Sequence, residues 1–284
     1  MLIFLGYKFV EFLAYATPYP LTYLIASVSA RILFNLNIGC DALKTNVAIV
    51  LNLDKNDKEV AVIMRKIFIN WFITVADFLK HTRVSKEKLK QMIEVTGFEN
   101  LDKALEKGKG VVIFTAHIGN VEWGACRVAV EGYSIWATGL HRPYEPTNKF
   151  FESRRLAKGV RTVYVNKSLL SIFRILKNNE IIAIATDWDS QGTAHVHNFF
   201  GKKAYIPSGP VEIAMKSGAP LIPCFIYRKN KYNHFIEMEK PLELETEGEK
   251  KELIDINTAK MTKVLQKYIK EHLDQWEMFH DIWA

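Results

Sequence analysis

Cysteine is scarce in this chain: Cys40, Cys126 and Cys224 are odd in number, widely spaced and without a Cys-x-x-Cys pair. That excludes a disulfide framework and a zinc ribbon, and it fits a reducing compartment. No Gly-x-Ser-x-Gly nucleophile elbow occurs, and none of the cysteines has a histidine beside it in sequence, so covalent catalysis has no evident nucleophile. An uncharged apolar run of the ~20 residues that a membrane-spanning helix needs is also missing. No basic segment precedes the first apolar stretch, so a secretory leader is not expected. No recognised nucleic-acid module or interleaved basic-aromatic motif appears, and nucleic acid is not an expected partner.

What is present is core material and positive charge. The 284 residues are 49% hydrophobic and 12% aromatic, enough for one large core or two modest ones. The formal net charge is +7, which suits an anionic partner: membrane surface, nucleic acid or an acidic protein. The excess is concentrated, because Arg142 to Lys177 holds nine basic residues against Glu145 and Glu152. Such a run reads either as a solvated helix face or, beside an apolar anchor, as a surface for anionic head groups or an acidic carrier.

The apolar anchor is the N-terminus. From Met1 to Cys40 only Lys8, Glu11 and Arg31 are charged, and Thr17-Pro18-Tyr19-Pro20 divides the segment into two helical pieces. They are expected to lie in one leaflet, with Tyr7, Tyr15, Tyr19 and Tyr23 at the interface; the alternative is a helix pair packed on the globular core. Residues 1–40 are thus expected to associate with a membrane and residues 41–284 to form a single domain.

Beyond it, Ile63, Ile67, Trp71, Val75 and Phe78 recur at near-helical spacing through Lys58–Lys80, a core-facing stripe. Ser85 caps a short helix that Gly97 ends. Strands are expected at Val111–Thr115, Ser134–Leu140, Thr162–Val165, Ile181–Thr186, Leu221–Tyr227 and His234–Glu239. Helices are expected at Lys149–Lys158, Ser168–Lys177, Pro210–Ser217 and Ile254–Leu273. Alternation of this kind predicts an α/β fold, a mostly parallel central sheet flanked by helices and preceded by the helical membrane-associating segment. Residues 187–201 read as a long loop. Within it His195-Val196-His197, near Asp187 and Asp189, is too weak a signal to predict a metal site, and the docked tail 275–283 keeps its aromatic residues to the end.

The central stretch is Gly110 to Trp123: five β-favouring residues, then Ala116-His117-Ile118-Gly119-Asn120-Val121-Glu122. His117 falls at a strand's C-terminal end, where sites in α/β sheets gather, as do Arg142 and Asp187. Asn120 is a candidate N-cap, which puts Glu122 in the first helical turn. His117 and Glu122 read either as a general base with its orienting carboxylate or as a core histidine satisfied by a neighbouring acid.

In combination, Thr115-Ala116-His117-Ile118-Gly119-Asn120-Val121-Glu122-Trp123, Arg142-Pro143 followed by Arg155, Asp187 opening a loop toward Phe200-Gly201, Pro207-Ser208-Gly209-Pro210 and the terminal Gln275-Trp276 and His280-Asp281-Ile282-Trp283 resemble the late acyltransferases of lipid A biosynthesis. Their phosphatidylinositol-mannoside relatives share the pattern. The resemblance implies an enzyme at the cytoplasmic face of the inner membrane, moving a fatty acyl group from acyl carrier protein or coenzyme A to a hydroxyl of a glycolipid. Bilayer, carrier protein and glycolipid acceptor are the implied partners, and no cofactor or metal is expected. Under it His117 and Glu122 are the expected catalytic pair, with Asn120, Arg142, Arg155 and Asp187 as substrate-binding positions. Arg142 is the candidate for the oxyanion or an acceptor phosphate and Arg155 for a head group or carrier phosphate, while Asp187 reads either as orienting Arg142 or the acceptor, or as an acid that caps its own loop. Two positions depart from the family pattern: Trp188 stands where a glutamine is usual after the aspartate, and Asp281 where a basic residue is usual. The nearest alternative is the same chemistry on another acceptor, such as a mannosylated phosphoinositide, a diacylglycerol glycoside or an amino-lipid. The same His-Glu pair would also serve a thioesterase, and a silent lipid-binding protein is the third reading.

Overall fold

The computed structural model describes residues 2–36, 40–164, 169–190, 192 and 194–284. Val165 and Ser168, at the ends of two expected elements, and Lys167 of the basic segment lie outside them. The helices are α1 (Leu2–Ala16), α2 (Tyr19–Asn35), α3 (Asp41–Leu51), α4 (Lys58–Lys80), α5 (Lys86–Met92), α6 (Phe98–Leu105), α7 (Val121–Glu131), α8 (Glu145–Leu156), α9 (Leu169–Lys177), α10 (Gly209–Ser217) and α11 (Lys250–Glu271). The strands are β1 (Ile93–Thr96), β2 (Val111–Thr115), β3 (Ile135–Gly139), β4 (Arg161–Tyr164), β5 (Ile181–Ala185), β6 (His195–Phe199), β7 (Lys202–Ile206), β8 (Leu221–Arg228) and β9 (His234–Met238).

Seven strands form one sheet in the order β1-β9-β8-β2-β5-β3-β4, in which only the β8–β9 pair is antiparallel. The mostly parallel α/β sheet expected from the sequence is therefore present. Central β2 alternates its side chains between two cores. Val112 and Phe114 join the cluster built with α3, α4 and α9 to α11, whereas Val111 and Ile113 join the one built with α5 to α7. With helices on both faces, β2 has no solvated side, which is why it reads as a continuous apolar run.

Two strand assignments differ from expectation. The helix capped by Ser85 stops at Met92, and the β-branched residues of Ile93-Glu94-Val95-Thr96 extend as the edge strand β1. The segment expected as a loop contains the β6–β7 hairpin. Its two-residue turn, Phe200-Gly201, has positive φ at both positions, as a tight hairpin turn requires. The Phe200 amide is held by Gln266 Oε1 of α11 at 2.7 Å.

The N-terminal helices are keyed into the body by buried polar contacts. Tyr23 on α2 donates to Asp77 on α4, which also receives Arg228 Nη2 at 2.7 Å, and Glu11 on α1 pairs with Arg154 on α8. Their outer faces remain apolar and open, with Phe9 63%, Phe12 67% and Leu24 58% exposed. Among the described residues no helix is long and apolar enough to cross a membrane.

Among the described residues of the basic segment, Arg142, Lys149, Arg174 and Lys177 are exposed, whereas four side chains are engaged within the fold. Arg154 is taken by Glu11, Arg155 by Glu122 and Arg161 by Glu180, and Lys158 is buried against the carbonyls of Thr82 and Val84.

Candidate active site

The site is made by register. β2 and β5 are parallel neighbours with Thr115 opposite Ala185, so the residues two places beyond each, His117 and Asp187, leave the sheet side by side. The ladder continues into the loops through Thr186 N–H donating to Thr115 C=O at 2.9 Å. His117 Nδ1 then meets Asp187 Oδ1 at 2.7 Å, while the His117 backbone N–H donates to Asp187 Oδ2 at 2.8 Å. Trp276 Nε1 donates to that same Oδ2 at 2.9 Å. Asp187 is fully buried, and the imidazole side chain is 37% exposed. With Nδ1 engaged, Nε2 is the ring nitrogen left for chemistry.

Burial disfavours the imidazolium, yet the Asp187 carboxylate outweighs it, and with smaller contributions from Glu277 and Glu122 lifts the His117 pKa above its usual range. Burial likewise pushes Asp187 up, but the charge of His117 and the donors around it hold its carboxyl below the ordinary value. A ring with one exposed edge and a buried carboxylate on its other nitrogen is the arrangement that general-base chemistry requires.

The structure corrects the expected partner. Glu122 sits in the first turn of α7 as predicted, but it faces α8, where Arg155 Nε and Nη2 grip it at 2.8 and 2.6 Å. Burial would raise the Glu122 pKa; Arg155 overcomes that and lowers it. Arg155 is thereby committed to Glu122, with Nη1 toward Thr162 Oγ1 at 3.3 Å. Arg142 is exposed at the rim before α8, its backbone clasped by the Asn148 side chain and its guanidinium over the Phe151 ring at 4.4 Å. It lies within electrostatic reach of Glu122, whereas the oxygens of Asp187, its expected orienter, bond His117 and Trp276. Asn120 caps α7 as expected, its Oδ1 accepting from Trp123 N–H at 3.1 Å, and is completely buried.

The loop between β2 and α7 is fixed by the C-terminal tail. Gly119 N–H donates to Gln275 C=O at 3.1 Å, Glu277 N–H donates to His117 C=O at 2.8 Å, and Ile118 bridges to Trp276. Gly119 has φ +59, and a Cβ there would stand 2.7 Å from the Ile226 carbonyl oxygen. The left-handed conformation alone costs a side chain about 1–2 kcal/mol, and backbone that close cannot yield cheaply. Gly119→Ala is expected to lower Tm and, by displacing His117, to lower kcat more than it changes KM; thermal denaturation and steady-state kinetics check both.

Sequence reasoning gave no role to several residues here. Trp276 completes the Asp187 anchor, and Trp188 stacks on His280 with ring centroids 3.9 Å apart and planes 3° apart, which accounts for an aromatic residue at the departing position. Asp281, the second departure, is exposed and accepts from Trp283 N–H at 3.2 Å. Glu277 is the other omission. Burial pushes its carboxyl up to about 8, against smaller lowering effects from a Thr74 hydrogen bond, His117 and Arg228. A carboxyl with a raised folded-state pKa opposes folding increasingly as pH climbs from its unfolded value of ~4.3 toward 8. Glu277→Gln is therefore expected to raise Tm at pH 8 and leave it nearly unchanged at pH 4, measured by denaturation at both pH values.

A narrow apolar fissure of about 40 Å³ lies between α7 and the sheet, lined by Thr115, Val121 and the small residues Gly124, Ala125 and Ala183 among others. Asp189, expected near any metal, instead caps its own loop through the Gly192 and Ala194 amides.

Compared with known proteins, residues 1–284 match the family model described as bacterial lipid A biosynthesis acyltransferase. Over 148 residues the chain is 25% identical to a phosphatidylinositol mannoside acyltransferase of Mycobacterium tuberculosis (strain ATCC 25618 / H37Rv), covering 49% of this chain and 46% of that protein. Over 143 residues it is 27% identical to the enzyme so named from Mycolicibacterium smegmatis (strain ATCC 700084 / mc(2)155), covering 48% and 46%. The match thus spans about half the length of these curated relatives.

Proposed function

This chain belongs to the bacterial lipid A biosynthesis acyltransferase family, and on that premise we propose that it moves a fatty acyl group from acyl carrier protein or coenzyme A to a hydroxyl of a lipid A-type glycolipid at the cytoplasmic face of the inner membrane. The observation that carries the chemistry is the His117–Asp187 pair, a base with a buried anionic orienter and an accessible ring edge at the carboxyl ends of two parallel strands. A thioester is already activated, so what the reaction needs is removal of a proton from the attacking hydroxyl. In this reading His117 Nε2 takes that proton, Asp187 stabilises the imidazolium, and the hydroxyl oxygen attacks the thioester carbon directly, expelling the thiolate, to which the proton is returned. Arg142, on the rim, is available to a phosphate of the acceptor or to the developing oxyanion. The fissure beside Thr115 and Val121 is the route for the acyl chain, and it must widen to admit one.

The acceptor has a second reading, a mannosylated phosphoinositide, supported by the names of the relatives in two mycobacterial species. Incubating the purified chain with labelled acyl carrier protein and total membrane lipid from its own host, then weighing the product, separates them. A glycolipid heavier by one acyl group is expected. Free fatty acid without an acylated lipid would replace transferase by thioesterase, and thioester left intact would leave only lipid binding.

Membrane association rests on the open apolar faces of α1 and α2. Inserting a phenylalanine is worth about 1.5–3 kcal/mol, tenfold or more in partitioning. Phe9→Glu with Phe12→Glu is expected to lower binding to anionic vesicles at least a hundredfold, read by co-sedimentation, with turnover on detergent-dispersed acceptor retained.

A further inference from the structure

Two histidines and an aspartate that take no part in acyl transfer come together on the far side of the Asp187 loop. Strand alternation places His195 and His197 of β6 on one face, with their rings nearly parallel at 11° and centroids 6.5 Å apart. Asp255, in the second turn of α11, meets them, its Oδ1 3.3 Å from His195 Nδ1. One ligand atom from each of the three lies within 4.8 Å of the others.

A simple ion pair accounts for His195 and Asp255 and leaves His197 unexplained. Its Nε2 is buried and has no hydrogen-bond partner, a costly state for a ring nitrogen. We propose that His195, His197 and Asp255 bind one divalent transition-metal ion of the zinc class, which fastens the β6–β7 hairpin to α11. The donor set of two imidazoles and one carboxylate is borderline in softness, favouring zinc over the all-oxygen sites of calcium or magnesium. Ligands at ~2.0–2.2 Å around a tetrahedral ion stand about 3.4 Å apart. The His195–Asp255 edge, at 3.3 Å, already has that separation, and the others, within 4.8 Å, have only a short way to close. His195 and Asp255 are 42% and 48% exposed, which leaves an entry path and a fourth position for water.

The consequence reaches the active site through the chain itself. β7 bonds the C-terminal tail, with Tyr205 N–H donating to Ile282 C=O at 2.8 Å and Ala284 N–H to Lys203 C=O at 3.0 Å. That tail carries Trp276 and Glu277 into the His117 loop. A metal at β6 would therefore stiffen one end of the strap that holds Asp187.

The test uses the full chain stripped with chelator and titrated with Zn²⁺ by calorimetry, with Co²⁺ as a visible-absorption probe. One ion per chain is expected, with an upward shift in Tm on loading and cobalt bands of tetrahedral intensity. His197→Gln and Asp255→Asn should each weaken binding at least tenfold and His195→Gln with His197→Gln should abolish it, while Tm in chelator stays at the wild-type value and shows the variants folded. Failure to bind stoichiometrically in the micromolar range, or binding undiminished in the double variant, overturns the site. So does binding that disappears with His117→Gln instead, since that ion would belong to the catalytic pair.

Discussion

His117→Ala is expected to lose at least ~10²–10⁴ in kcat, the usual contribution of a positioned general base, with vesicle binding close to wild type and some loss of Tm, since Asp187 is left buried without its ring partner. Asp187→Asn should fall in the same range while adding a signature that simple damage would not give. The carboxylate holds the imidazole pKa above its ordinary position, and the imidazole must be neutral to accept a proton. Wild-type kcat/KM is therefore expected to rise with pH through a value above ~6.5, and replacing the anion by an amide should move that limb to lower pH even as the plateau drops. Asparagine can also donate where aspartate accepts, so it has to compete with the His117 and Trp276 donors. A limb that stays in place in Asp187→Asn would transfer the orienting role to Glu122 or Glu277, both of which also bias His117.

The second large effect concerns Glu122. Arg155→Leu removes both donors from a carboxylate that is only 22% exposed. Breaking such a pair from one side costs about 3–5 kcal/mol because the remaining charge is left buried and alone, and partial exposure places this pair at the lower end. Arg155→Leu should therefore lower stability in denaturant titrations by about 3 kcal/mol, and Glu122→Leu combined with it should recover much of the loss. The pair also separates two roles for Glu122. If the bridge serves to hold α8 against α7, the double variant regains stability and keeps appreciable turnover. If Glu122 acts on His117 directly, stability returns while kcat stays low.

Glu122 shows what spacing along the chain can mislead about. Five residues after His117, with Gly119-Asn120 between them, it was the natural orienter in a linear reading, and its first-turn position on α7 proved correct. The carboxylate that the fold sets against His117 Nδ1 is seventy positions away. Asp187 stood out in the sequence only as an acid at a strand end, and what joins it to His117 is the in-register pairing of β2 with β5. The same limit hid β1, too short to rise above the helix before it, and the β6–β7 hairpin, whose turn places a phenylalanine at positive φ.

Local composition by itself determined most of the elements: apolar runs long enough for covered strands, helix-spaced stripes such as Ile63 to Phe78, the Asn120 cap, the break at Thr17-Pro18 and the positive φ that only Gly119 accommodates readily. These are short-range consequences of backbone sterics and side-chain period, and so they are written in adjacent residues. The tertiary structure decided who meets whom: Asp187 with His117, Arg155 with Glu122, Trp276 with Asp187, His195 and His197 with Asp255. Strand order and register set those meetings, and they follow from how whole faces pack, which no single stretch of chain encodes.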